Sequence, residues 1–319
     1  MTLVEPNFAD VLTAKRRLRD HLSPTPLRAY PSLGSPLGVE LFVKHENFQP
    51  TGAFKIRGGI NLVSQLSPEE RAAGVVSAST GNHGQSIAYA ARLYGVSATI
   101  CVPEGANPTK VAAIRELGAE VVVHGRDFDE AREHCEQLAA ERSARYVHSG
   151  NEPLLIAGVA TEMLEILEEH AAIDTVIVPI GGGSGAAGAC IVAAALDGSV
   201  EVIGVQSAQA PAAYRTWKER TLVEDRMETT AEGLATRVAF ELPQRILWAR
   251  LDEFVLVDDE EIAAAQVAMI ETTRSLVEAA GAAPLAAARK LGDRLRGRKV
   301  ALVCSGGNAT LAQLRALLT

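Results

Sequence analysis

Short apolar runs alternate with longer stretches of helical periodicity along almost the whole chain of 319 residues. That alternation limits the fold more than any other feature. Parallel strands joined by helical crossovers are covered on both faces and read as near-continuous Val/Ile/Leu runs rather than as strict in/out alternation. Runs at 39–43, 75–78, 98–102, 120–123, 175–180, 201–205, 253–257 and 299–304 predict strands, and 82–94, 108–117 and 127–141 predict helices. The second helix carries its own punctuation, Asn107 and Pro108 at the start and Gly118 at the stop. The fold class is therefore α/β, with an open parallel sheet. The strand–helix units between about 74 and 147 form a compact group, which predicts a small domain over 49–148 and a larger one over 1–48 and 149–319.

Charge narrows the class of function. With 31 Lys+Arg against 39 Asp+Glu the formal net charge is −8, without the basic stripe that phosphate backbones or anionic membranes require. No apolar run approaches the roughly 20 residues of a membrane helix. Nucleic acid and membrane are thus not expected partners. Residues 1–10 (MTLVEPNFAD) lack the pattern of a secretory signal, and the four scattered cysteines (101, 135, 190, 304) predict reduced, buried thiols, so a cytoplasmic setting is expected. The histidines show no paired metal-ligand spacing.

Four loops carry the chemistry. Gly181-Gly182-Gly183-Ser184-Gly185 follows the strand TVIVPI and opens an Ala-rich helix, a layout in which bare N–H groups and the positive helix end face a phosphate. Gly183, Gly185 and Gly188 also satisfy G-x-G-x-x-G, which keeps a nucleotide-binding module open. The next strand, however, ends in Gln206 instead of the acid that would hold a ribose. Ser79-Thr80-Gly81-Asn82-His83 again joins an apolar strand to a helix, with free N–H groups suited to a carboxylate. Lys55, in Phe54-Lys55-Ile56-Arg57-Gly58, is a lone cation at a helix start, where a positive charge is unfavourable; beside two anion-ready loops it is a candidate amine nucleophile. Cys304-Ser305-Gly306-Gly307-Asn308 runs on from the last strand, at the C-terminal strand ends where open α/β folds place ligands.

Together, in this order and spacing, these motifs resemble the fold type II pyridoxal-phosphate enzymes of the serine/threonine dehydratase and serine racemase family. The likeness runs from Pro24-Thr25-Pro26-Leu27 to Asn308. It implies the two-domain tryptophan-synthase-β-like fold and pyridoxal 5′-phosphate as cofactor, with a small-molecule amino-acid substrate and a homodimer. It further implies that Lys55 carries the cofactor covalently and then serves as the base, with Phe54 against the ring, Asn82 at the ring hydroxyl, Gly181 to Gly185 at the phosphate and Ser305 at the pyridine nitrogen. The carboxylate of the substrate would meet Ser79, Thr80, Gly81, Asn82 and His83. The implied reaction is dehydration and deamination of an L-β-hydroxy-α-amino acid to a 2-oxo acid and ammonia; racemisation and β-replacement are the alternatives on the same fold. Threonine, serine, hydroxyaspartate, a phenylserine and a hydroxylated diamino acid all satisfy it.

The departures from the family pattern bear on substrate choice. Thr80 stands where the racemase subgroup has an acid/base serine. Gln206-Ser207-Ala208-Gln209-Ala210-Pro211-Ala212 lacks the two carboxylates that bind a divalent cation in racemase-like members, so no metal is expected there. In His148-Ser149-Gly150-Asn151-Glu152-Pro153, Gly150 replaces a larger side chain that usually borders the substrate, and the expectation is a pocket that accepts a bulky β-substituent. Glu232 falls where relatives carry an aspartate at the pocket entrance, and Glu278 falls near the cofactor by family position. The chain ends at Thr319, so no C-terminal regulatory domain is expected.

Overall fold

The structure, a computed structural model, describes residues 3–79, 81–126, 128–196 and 198–317. Thr80 and Asp127 lie outside the described residues. Two sheets form the framework. The larger has six strands in the order β1-β2-β10-β7-β8-β9, where β1 is Leu27–Ala29, β2 Glu40–His45, β7 Thr175–Pro179, β8 Glu201–Ser207, β9 Glu253–Val257 and β10 Lys299–Cys304. Only β1 runs antiparallel to its neighbour, pairing Leu27 with Lys44; the remaining pairs are parallel. The smaller sheet is wholly parallel in the order β5-β4-β3-β6, with β3 Val75–Ala78, β4 Ala98–Val102, β5 Glu120–Val123 and β6 Arg145–Tyr146.

Every strand expected from the apolar runs is present, with ends moved by two residues or fewer. The two the runs did not announce, β1 and β6, are three and two residues long and sit at sheet edges, where half-exposed backbone needs no apolar block. The helix Pro108–Glu116 starts as its punctuation predicts, with Asn107 Oδ1 accepting the Thr109 N–H at 3.0 Å. Gly118 then takes a left-handed φ of +92° that a side chain would resist. The helix over 127–141 is Phe128–Glu141.

Buried apolar side chains fill both faces of the large sheet: Ile156, Met163, Val178 and Leu242 on one side, and Val205, Leu234, Met269 and Leu285 on the other. A third cluster, including Ile60, Ile87, Ile100 and Ile114, packs beneath the small sheet. The helix Ile56–Val63, all of it buried, lies between the helices Asn82–Tyr94 and Pro153–Val159. Its first residues follow β2, those of Asn82–Tyr94 follow β3, and those of the helix Ser184–Ala195 follow β7. Three helix starts thus converge where the parallel strands end, which is the place open α/β sheets reserve for ligands.

Candidate active site

The converging loops enclose a cavity of about 1020 Å³. Phe54, Lys55, Ser79, Gly81, Asn82, His83, Gly181 to Gly185, Glu232 and Ser305 all line it, so the described residues of the four sequence motifs meet in one place. The lysine is the centre of the arrangement. Lys55 Nζ donates to Ser184 Oγ at 2.7 Å, and burial pulls its amine down to about 8, with Glu162 pulling the other way. An amine in that range is still mostly protonated at neutral pH, but it is a free base far more often than an ordinary lysine, as a nucleophile requires.

Neighbouring loops fix its backbone. The Lys55 carbonyl accepts from Ser86 Oγ at 2.6 Å, and the Phe54 N–H donates to the Ser305 carbonyl at 3.0 Å. Gly52, at φ +68°, takes the Gly307 N–H on its carbonyl at 2.8 Å. Two residues beyond Lys55, Arg57 is almost wholly buried and grips Glu46 with two bonds, at 2.8 and 2.7 Å, and Glu165 with two more at 2.6 and 2.7 Å. Lys44 joins the same cluster through Glu165 at 2.6 Å. Paired charges are tolerated in such a core, and they lock the start of the helix that follows Lys55.

At the glycine loop, Gly183 caps the helix Ser184–Ala195 with φ +85° and no side chain bonds the helix start. The first-turn N–H groups there have no helical acceptor, which makes an anion site of the loop. Gly188 does something else. A Cβ there would meet Ala160 Cα at 2.8 Å, so the third glycine of the G-x-G-x-x-G pattern serves close helix packing.

The Ser79 loop is capped from within. Ser79 Oγ accepts the Gly84 N–H at 2.9 Å and the Gly81 N–H at 3.2 Å, which leaves the first-turn N–H groups of Asn82 and His83 for a ligand. The Asn82 amide is held on both atoms, donating to Glu278 Oε1 and accepting from Asn308 Nδ2, each at 2.8 Å. Burial raises the Glu278 carboxyl. Ser77 Oγ donates to the Val147 carbonyl at 2.8 Å, so His83 Nε2, 2.9 Å from the same hydroxyl, must itself be the donor. His83 Nδ1 is then bare and without a partner, and burial drives the ring down to about 3.

The geometry corrects one expectation. Gly150 does not widen the cavity: a Cβ on it would stand 2.2 Å from Cδ2 of Phe240, whose ring already occupies the space. Glu232, which lines the cavity, is ion-paired with the buried Lys110 and accepts from Gln313 Nε2 at 2.8 Å. Lys110, Phe240 and Glu162 were not singled out from the sequence. Lys110 could have been, since it is a cation in the first turn of a helix, the same anomaly that marked Lys55.

The family model described as "Pyridoxal-phosphate dependent enzyme" matches residues 18–306. The chain belongs to this family. Among its relatives, the L-threonine ammonia-lyase of Geobacter sulfurreducens is 42% identical over 298 residues, spanning 92% of this chain and 74% of that protein. The L-threo-3-hydroxyaspartate ammonia-lyase of Saccharomyces cerevisiae is 33% identical over 318 residues, 99% of this chain and 98% of its own. A serine racemase from Dictyostelium discoideum, 31% identical, superposes with a TM-score of 0.90 over 96% of this chain and 99% of that one.

The residues present fit pyridoxal phosphate. A buried primary amine of lowered basicity, an uncapped helix start for a phosphate, and the oriented amide of Asn82 line one cavity large enough for the cofactor and an amino acid together. In the segment 206–212 two polar side chains are engaged internally. Gln206 Oε1 accepts the Tyr214 N–H at 3.0 Å, and Ser207 Oγ donates to Asp259 at 2.8 Å.

Proposed function

We propose that this pyridoxal-phosphate enzyme converts an L-β-hydroxy-α-amino acid of the threonine and serine type to a 2-oxo acid and ammonia. The observation that supports it most is the Lys55 amine, held by Ser184 at the phosphate-ready helix start in the cavity that also receives the Asn82 and His83 N–H groups. The cofactor, when bound, supplies the electron sink that makes the α-proton acidic. In this reading Gly181 to Gly185 would hold its phosphate with their N–H groups, Phe54 would pack beside its ring, and Asn82 and Ser305 would hold the ring hydroxyl and the ring nitrogen, a serine there leaving the nitrogen largely unprotonated.

The substrate carboxylate sits at the start of the helix Asn82–Tyr94. Lys55 Nζ takes the α-proton. The β-hydroxyl takes up one proton and leaves as water, which balances the proton held on Lys55 Nζ, and hydrolysis of the resulting unsaturated amine consumes one water and releases ammonia, so the net change is deamination. Residues 49–148 close over the substrate as a mobile unit, and the Lys110–Glu232 pair, both of whose members line the cavity, joins that unit to the rest of the chain. We further propose a cytoplasmic homodimer, on family likeness; no helix among the described residues is long and apolar enough to cross a membrane. The structural likeness to a serine racemase favours one second reading, slow racemisation with Thr80 as the opposite-face acid.

The test is 2-oxo acid release from serine, threonine, 3-hydroxyaspartate and threo-phenylserine by the cofactor-loaded protein, with Lys55→Ala as control. Release that the control abolishes supports the reading. A loaded protein that changes only the chirality of serine, or only exchanges its β-group, would replace it by one of the alternatives.

A further inference from the structure

Two glycines, Gly182 in the cavity wall and Gly150 in the loop behind it, owe their identity to one cavity-lining aromatic ring, that of Phe240. A Cβ on Gly150 would lie 2.2 Å from Cδ2 of Phe240, and a Cβ on Gly182 would lie 2.5 Å from its Cε2. Neither glycine has the positive φ that would demand glycine on conformational grounds. Contact with the ring, and not backbone geometry, excludes a side chain at both places.

The ring is itself well held. Phe240 precedes the helix Glu241–Arg250 as its N-cap, and its carbonyl accepts the Gln244 N–H at 3.1 Å. The Leu242 N–H donates to Asn151 Oδ1 at 3.0 Å, tying that helix start to the loop that carries Gly150. From the same loop, His148 meets the ring edge-on, with centroids 4.8 Å apart. His148 Nδ1 accepts both the Gly150 and Asn151 N–H groups at 3.0 Å, which fixes the turn beneath the phenyl group.

We propose that Phe240 is the specificity-determining wall for the substrate's β-substituent. It fills, from the segment before helix Glu241–Arg250, the volume that a side chain at 150 would otherwise supply. The chain therefore prefers a small substituent, hydrogen or methyl; because the ring also packs on Gly182 of the glycine loop, cofactor affinity is measured alongside preference in every variant. The inference rests on the deaminase reading above.

The test is a cycle of four proteins: wild type, Phe240→Gly, Gly150→Phe, and the double variant that moves the ring from one loop to the other. Phe240→Leu is added as a variant that keeps apolar bulk. Each is titrated with pyridoxal phosphate by absorbance, melted, and assayed for kcat/KM on threonine and threo-phenylserine. Phe240→Gly should raise the phenylserine-to-threonine ratio by about tenfold or more. Gly150→Phe alone should lose cofactor affinity or stability through the clash, and the double variant should recover both along with the wild-type preference. A ratio within about twofold of wild type in Phe240→Gly and Phe240→Leu, with cofactor fully bound, would overturn the proposal. So would a double variant no better than Gly150→Phe. If no protein releases oxo acid, the deaminase reading fails by itself. The wall is then judged by spectral titration of the loaded proteins with serine and phenylserine, where Phe240→Gly should tighten only the larger amino acid.

Discussion

Glu162 is the residue whose environment contradicts its chemistry most. It is 1% exposed, and neither carboxylate oxygen has a hydrogen-bond partner. One of them lies 3.5 Å from where a Gly185 Cβ would be, behind the Phe54 ring. Burial, with Glu46 and Glu165 nearby, pushes its carboxyl well above the ordinary range against the pull of Arg57 and Lys44. A buried polar group left unsatisfied costs about 1–3 kcal/mol. Glu162→Met, similar in volume and apolar, should therefore stabilise the protein by an amount of that order in urea melts. A destabilisation would show that the carboxyl has a favourable role in the fold. At this scale the sequence was informative wherever a residue broke a local rule, as Lys55 did at a helix start. Glu162 breaks none, since an acid in the first turn of Thr161–Glu169 is what helix electrostatics favour, and only the packing of another segment reveals the conflict.

Among the elements, the segment from β2 to the helix Ile56–Val63 depends on the buried ion cluster. Glu46 accepts two of the Arg57 bonds, the Thr25 hydroxyl at 2.6 Å and Gln49 Nε2 at 3.3 Å. Glu46→Leu would leave Arg57 buried with only its Glu165 and Thr161 partners, and breaking a buried pair in this way costs about 3–5 kcal/mol. Chemical denaturation should show a loss of that order, with weaker pyridoxal-phosphate binding because Lys55 sits two residues before Arg57. A loss below about 1 kcal/mol would mean that Glu165 alone suffices. Strands and the punctuated helix were legible from apolar runs and caps. The Arg57–Glu46–Glu165 cluster was not, because its members come from three segments with no shared spacing. Gly150 misled for a related reason: an absent side chain signals open space only if nothing else fills it, and Phe240 lies 90 residues on.

The whole molecule carries three histidines that burial holds neutral: His45 and His148, each pushed down to about 4, and His83, pushed down to about 3. In the unfolded chain these rings titrate near 6.5, so below that pH the unfolded state binds protons that the fold refuses. Their contribution is complete above about pH 6.5 and falls by about 1.4 kcal/mol per pH unit for each ring as the pH drops toward the folded values. In Glu162→Met, which removes the carboxyl whose early protonation in the fold would offset the effect, urea melts at about pH 7.5 and about pH 5 should show a clear loss at the lower pH. Equal stability at both would contradict the burial of these rings. The two-sheet layout was legible as strand–helix alternation, and the meeting of four distant loops followed from it, since parallel strands must end on one edge.

One amine, that of Lys55, is the group around which the cavity is built. The most direct measurement is borohydride reduction of the protein loaded with pyridoxal phosphate, followed by peptide mapping of the stable adduct. The expected result is a single modified peptide with the cofactor on Lys55, absent from Lys55→Ala. Modification at Lys110 or another lysine, with Lys55 untouched, would contradict it.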